Sequence, residues 1–328
     1  MKRREFISVL CVATAWPLFT QAQQATSMRR VGVYVYFKQE DVVLNAYIEA
    51  FQKQLLALGW SIGSNVQIDY RWTGGDAELI RRYAMELVAL KPDVILAAGG
   101  SHVGSLHQVT RTVPIVFVEV ADAVGGGFVA SLSHPGGNAT GFTNYQYDFG
   151  GKWLEIIKQI APSITRAAFL RDATNPSGAG QFGVIQALAR SLGVEVSPIN
   201  SRDASEVERG ISEFASKPNG GLMVAPNSFA LVHRDFIIAL AERYRLPAIY
   251  PFRYFVDSGG LISYGPDSIE QYRRAAGYVD RILRGEKPAD LPVEQSTKIA
   301  LAINLKTAHA LDLEVPSTLL TSADEVVE

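Results

Sequence analysis

The chain of 328 residues carries 31 Lys and Arg against 33 Asp and Glu, a formal net charge of −2, so it presents no basic field of the kind that holds nucleic acid. Its length exceeds the usual span of one hydrophobic core, and two lobes are expected. A single cysteine, Cys11, and five scattered histidines (His102, His107, His134, His233 and His309) allow no disulfide within the chain, no Cys-rich metal site and no His pair at the i, i+4 spacing of ligands on one helical face.

The first 24 residues read as an export signal. Lys2, Arg3 and Arg4 open it, an apolar run from Phe6 to Phe19 follows, and Thr20-Gln21-Ala22 supplies the small-x-small exit that predicts cleavage after Ala22. Arg3-Arg4-Glu5-Phe6-Ile7 also fits the twin-arginine export pattern. The apolar run falls short of the roughly 20 residues that span a bilayer, and Leu10 is too large to precede a lipidated cysteine. Cleavage removes Cys11 and leaves 28 basic against 32 acidic residues, a net charge of −4. The mature chain is expected in the periplasm and outside the membrane, since no later apolar stretch approaches spanning length.

Strand and helix signals then alternate. Val31–Phe37 reads as a strand, followed by a helix with Leu44, Ile48, Phe51, Leu55 and Leu58 on one face and Gly59 as its stop. Val66–Tyr70 is the next strand, and a helix carrying Leu79, Ile80, Tyr83, Leu87 and Leu90 ends at Lys91-Pro92. Val94–Ala98 and Ile115–Val120 are nearly continuous in apolar residues, as strands of a parallel sheet covered on both faces are. A second series begins near Tyr145, with strands at Ala167–Leu170, Val194–Ile199, Gly221–Ala225 and Leu261–Tyr264 and a long amphipathic segment at Phe229–Tyr244. Two βα series of similar length predict an α/β fold of two doubly wound parallel-sheet lobes joined by a hinge.

In such sheets ligands gather beyond the carboxyl ends of the strands. In the first series those positions carry Tyr36, then Gly99-Gly100-Ser101 opening a helix, then Glu119 and Asp122, with Asn144 and Tyr145 at the passage to the second series. In the second they carry Asp172, Asn227, Phe229, Arg253, Tyr264 and Asp267. The candidate ligand-binding residues are therefore Tyr36, Gly100, Ser101, Glu119, Asp122, Asn144, Tyr145, Asn227, Phe229, Arg253, Tyr264 and Asp267. Tyrosine and phenylalanine offer apolar walls, carboxylates accept an ammonium, and Arg253 suits a carboxylate through two parallel hydrogen bonds.

Catalytic patterns fail. His233-Arg234-Asp235 imitates a kinase catalytic loop, but Leu240 stands where the metal-binding Asn belongs. G-x-S-x-G, H-E-x-x-H and G-x-x-x-x-G-K-[ST] are all missing from the sequence, and Gly125-Gly126-Gly127 is no dinucleotide fingerprint. Asn138-Ala139-Thr140 reads as a turn after Pro135-Gly136-Gly137 rather than a glycosylation site. Neither cofactor nor enzymatic activity is expected.

The chain resembles the ABC-transporter substrate-binding proteins related to tryptophan- and tyrosine-binding proteins. The marks are Pro114-Ile115-Val116-Phe117 leading to Asp122, Pro135-Gly136-Gly137-Asn138-Ala139-Thr140-Gly141, Leu246-Pro247-Ala248-Ile249-Tyr250, Gly259-Gly260-Leu261-Ile262-Ser263-Tyr264-Gly265, and Ile303-Asn304-Leu305-Lys306-Thr307-Ala308. The resemblance implies the type I periplasmic-binding-protein fold and a monomer that catches a small solute by hinge closure. It also implies delivery of that solute to an ABC permease in the inner membrane. The implied division is residues 28–143 with about 262–285 in lobe 1, and 144–261 with 286–328 in lobe 2. The ligand class is an aromatic or other amino acid, or a small organic anion. Pro226-Asn227-Ser228 departs from amino-acid-binding relatives, which tend to present an Asp there, and an amide does not neutralise an ammonium. Two rivals share the same sequence: an exported two-lobed enzyme working in the same cleft, and the ligand-sensing subunit of a membrane signalling receptor.

Overall fold

Strands in which every residue is buried lie between helical layers, as the apolar runs require. The computed structural model describes residues 28–144, 148–173, 176–296 and 298–328; the export signal and Tyr145 lie outside them. The first lobe is built from β1 (Arg29–Val35), α1 (Val42–Ala57), β2 (Val66–Trp72), α2 (Ala77–Ala89), β3 (Val94–Ala98), α3 (Gly100–Val109), β4 (Ile115–Val120) and β5 (Ala139–Thr143). The second begins with α4 (Asp148–Ile160), β6 (Arg166–Arg171), α5 (Pro176–Ala189), β7 (Glu195–Asn200), α6 (Ala204–Ala215) and β8 (Gly220–Val224). It continues through α7 (Ser228–Val232), α8 (Arg234–Arg243), β9 (Ala248–Tyr250), α9 (Arg253–Asp257) and β10 (Ile262–Pro266). Then α10 (Ser268–Leu283) returns to the first lobe and packs on α1 and β4, and β11 (Glu294–Gln295) joins the first sheet. Finally β12 (Ile299–Asn304), α11 (Leu305–Ala310), α12 (Ser317–Ser322) and β13 (Glu325–Val327) complete the second.

The first sheet runs β11-β5-β4-β3-β1-β2, with parallel pairing throughout. The second runs β13-β12-β10-β9-β8-β6-β7, parallel except for the antiparallel β10–β12 pair. Both orders reverse direction beside the first strand of their lobe, the place where doubly wound sheets open a crevice.

Two sequence expectations are corrected. Residues 262–266 belong to the second sheet, where β10 pairs with β9 and β12, so the passage back to lobe 1 occurs at Asp267 rather than near 262. Likewise β11 pairs with β5, so the last passage follows Gln295 rather than Gly285. The strand signal in Leu261–Tyr264 was genuine; which lobe it served is decided by its pairing, which sequence does not display. The segment Phe229–Tyr244 is also two helices, broken at His233 (φ −106°, ψ 30°). The break leaves Val232 against Gly75 of lobe 1. Among the described residues no helix is long and apolar enough to cross a membrane.

One apolar cluster runs continuously from Val33, Phe51 and Val118 of lobe 1 to Val224, Leu240 and Phe255 of lobe 2, so the lobes are in contact. At the centre of lobe 1, the β4–β5 register shifts between Phe117 and Val120. Opposite the shift, Gly141 has φ +148°, and a Cβ there would overlap the Phe117 carbonyl. Gly141→Ala is therefore expected to destabilise the protein by about 3 kcal/mol or more, measured by urea unfolding; a loss within about 0.5 kcal/mol would show that the bulge yields readily.

Candidate functional site

The bulge in β4 decides where its one carboxylate goes. Alternation along a strand puts residues 115, 117 and 119 on one face, and Ile115 and Phe117 do pack with Tyr34, Val103 and Leu106. Val116 and Val118 face the opposite cluster. At Glu119 the backbone enters the left-handed region (φ +56°), the parity flips, and Val120 rejoins Phe117. Glu119 is thereby turned to the α1–α10 face. Its Oε2 accepts hydrogen bonds from Tyr36 Oη at 3.1 Å and Tyr272 Oη at 3.2 Å. Bulges re-aim side chains in this way next to working sites.

Gln271 holds the turned segment in place. Its Oε1 accepts the Glu119 N–H at 3.0 Å, and its Nε2 donates to Asn144 Oδ1. Asn144 N–H donates in turn to the Val120 carbonyl at 2.8 Å. A single buried amide thus ties the end of β4 to two passages between the lobes. Tyr47 of α1, Tyr254 of α9 and Ser268 at the start of α10 complete the surroundings. Burial pushes the Glu119 carboxyl up to about 7, against the opposing pull of the Ser268, Tyr36 and Tyr272 hydroxyls. Beside this cluster, His102 is buried between Tyr34 and Thr73, with Nε2 3.0 Å from Thr73 Oγ1. Burial lowers it to about 3, so it stays neutral.

Lobe 2 meets this surface directly. Arg234 Nη1 of α8 pairs with Asp41 Oδ2 at the head of α1, at 2.6 Å and with both side chains largely buried. A cavity of about 490 Å³ opens between Gly74–Gly75 of lobe 1 and Asp172, Arg202, Phe229 and His233 of lobe 2. Behind α1 a wider groove of about 920 Å³ is bounded by Tyr47, Tyr254, Ser268 and Arg253.

The predicted residues divide accordingly. Tyr36, Gly100, Ser101, Glu119 and Asn144 gather at the strand ends of lobe 1: a Cβ on Gly99 would lie 3.8 Å from the Tyr36 ring, and Ser101 is exposed on the first turn of α3. Phe229 lines the interlobe cavity, stacked against His233. Tyr264 packs edge-on to Phe149 in lobe 2, and its carbonyl accepts the Trp153 indole N–H. Tyr145 lies outside the described residues.

The remaining four have structural employment. Asp122 caps its own turn, accepting from Val124 N–H and Gly125 N–H. Asn227 caps α7, accepting from Ala230 N–H and Ser201 Oγ while donating to the Ala225 carbonyl. The Asn227 side chain is committed to its own lobe, so its identity carries no message about an ammonium. Asp267 caps α10 and pairs with Lys298. Arg253 is corrected most clearly: its guanidinium pairs with Asp257 at 2.9 Å and with Glu325 of β13, on the rear groove. Sequence reading missed Tyr47, Tyr254, Ser268, Gln271 and Tyr272. All five sit on helices, which a search of strand ends never visits.

Comparison with known proteins follows the same outline. The profile of the family described as ABC transporter substrate binding protein matches residues 30–327. The tyrosine-binding protein of Clostridioides difficile (strain R20291) is 25% identical over 287 residues, covering 84% of this chain and 82% of that protein. Among solved structures, the ABC domain in complex with L-Trp from Streptococcus pneumonia matches with a TM-score of 0.84 at 22% identity, over 92% of this chain and 100% of that one. A ligand-free, open substrate-binding protein with adhesive properties from Clostridium difficile matches at 0.66 and 23% identity, over 91% of this chain and 99% of that one.

The contrast between buried clamp and surface pair is measurable. Gln271→Ala leaves the buried Glu119 N–H without an acceptor and should destabilise by about 2 kcal/mol or more. Arg253→Ala breaks a half-exposed pair and should change stability by no more than about 1 kcal/mol. Urea unfolding of both variants checks the order; the reverse ranking would refute the assignment.

Proposed function

We propose that this chain, which belongs to the ABC transporter substrate-binding protein family, is the periplasmic capture subunit of an importer. It would take a small amino-acid-like solute between its lobes and present it to a permease in the inner membrane, with no chemical change. The observation that carries this reading is the meeting of two parallel-sheet lobes at their strand carboxyl ends. Gly74 and Gly75 come from one side and Asp172, Phe229 and His233 from the other, around the interlobe cavity. A solute touching both sides favours the closed form, because only closure makes both sets of contacts. Residues 1–22 support export. The tyrosine-binding relative and the L-Trp complex support an aromatic amino acid as ligand, and the tyrosine- and phenylalanine-rich seam suits its ring.

Isothermal calorimetry with L-tyrosine, L-tryptophan and L-phenylalanine, beside D-xylose and myo-inositol, tests the ligand class. Micromolar or tighter binding of at least one aromatic amino acid is expected; binding confined to the sugars would refute the class. Arg234→Ala tests closure. Losing the charged hydrogen bond to Asp41 removes about 2 kcal/mol from the closed form, equivalent to about 30-fold in affinity. The loss should be equal for every solute that binds, since Arg234 acts on the hinge equilibrium and not on the ligand.

A further inference from the structure

Glu119 is buried where the lobes meet. Its Oε2 is satisfied by Tyr36 and Tyr272, but its Oε1 is buried with no hydrogen-bond partner among the described residues, as are Tyr254 Oη and Ser268 Oγ. The three belong to different parts of the hinge: Glu119 to lobe 1, Tyr254 to lobe 2, and Ser268 to the first residue past a passage between them. Ser268 Oγ lies near enough to act on the carboxyl, and Tyr254 Oη on Tyr36 Oη. Ser268 Oγ can donate to the ionised carboxylate or accept from the acid, so the hydroxyls serve either form; what disfavours the charged form is its removal from water with no cation beside it. In the hinge motion on which the proposed function rests, Tyr254 leaves with lobe 2 and opens the carboxyl to water.

We propose that solute capture by this protein is coupled to proton uptake: closure transfers a proton from solvent buffer to Glu119, and opening returns it. The coupling rests on the reading of the chain as a receptor that closes on its ligand. Among this chain's side chains the groups facing Glu119 give it no compensating cation, and Arg253 reaches only its phenol neighbour Tyr47. Tyr36, Tyr47, Tyr254 and Tyr272 are all raised well above the usual phenol range by burial, and stay neutral. Arg234 reaches only Tyr254, and Asp257 and Asp267 reach only Tyr47. His233, in the interlobe cavity, is lowered by burial and by Lys38, so its protonation would weaken closure in acid, the opposite sign.

With Glu119 at about 7 in the closed form and near its ordinary value of about 4.3 when hydrated, closure takes up about half a proton at pH 7. Affinity should then be about tenfold tighter at pH 6 than at pH 8. Free aromatic amino acids stay zwitterionic over this range. Calorimetry of L-tyrosine, L-tryptophan and L-phenylalanine at pH 6 and 8, and at pH 7 in two buffers of different ionisation enthalpy, reads both quantities. In Glu119→Gln the pH ratio should fall below about twofold and proton uptake to near zero. Wild-type binding without proton uptake, or an equal uptake in Glu119→Gln, would overturn the coupling. Should Glu119→Gln fail to fold or to bind, the wild-type buffer dependence decides alone. If none of the three amino acids binds, that ligand class fails separately. The coupling is then read on the unliganded protein by small-angle scattering: a smaller radius of gyration at pH 6 than at pH 8 supports it, and equal radii refute it.

Discussion

A carboxyl group with no cation beside it is harder to ionise in a dry seam, and Glu119 stands in such a seam. Everything around it reads as accommodation of that fact. Two phenols donate to one oxygen, Gln271 secures the backbone, and the strand carries a bulge that turns this side chain from one face of the sheet to the other. Hydroxyl groups are well suited to the task. A phenol or serine hydroxyl can donate to a carboxylate or accept from a carboxylic acid, so the same shell serves both protonation states, whereas an arginine in its place would hold only one.

The architecture places that shell where it matters. Gln271 bridges Glu119 to Asn144, and Ser268 follows Asp267, so two of the chain's passages between lobes are anchored within one turn of α10. Rotation of lobe 2 about these passages changes little inside either sheet, because each keeps its own pairing. The apolar cluster that crosses the seam has no such protection: its lobe-1 and lobe-2 members part when the lobes do. Arg234 and Asp41 lie at the same contact. On the closure proposed above, burial there depends on the lobes meeting, which makes it the part of the molecule that would respond to a ligand.

Much of this was legible beforehand. The runs at Val31–Phe37, Val94–Ala98 and Ile115–Val120 were read as strands because residues buried on both faces are apolar at nearly every position, and these are. β5 escaped notice because Ala139–Thr143 is short and mixed, and its glycine and threonines suggest a turn; they are there because Gly141 must clear Phe117 and Thr143 bonds to the Val120 carbonyl. The lobe to which β10 and β11 belong is a fact of pairing across distant segments, and no local pattern encodes it. Nor does strand alternation foresee Glu119, whose facing reverses at a single backbone angle.

The site residues show a more general confusion, and it has a remedy. A polar residue at the end of a strand is also the residue before the next helix, where Asp and Asn are favoured because their side chains accept the first free N–H groups. Asp41, Asp76, Asp203, Asn227 and Asp267 follow strands and Asn304 ends one, and each caps the helix that comes next. Proximity to a strand's carboxyl end therefore marks caps and ligand contacts alike. Glu119 is distinguishable in principle, because β4 is followed by a turn rather than a helix and its acid has no donor row to satisfy. Subtracting the caps first removes Asn227 and Asp267 from the candidates and keeps Glu119, Tyr36, Gly100, Ser101 and Phe229 among those that remain.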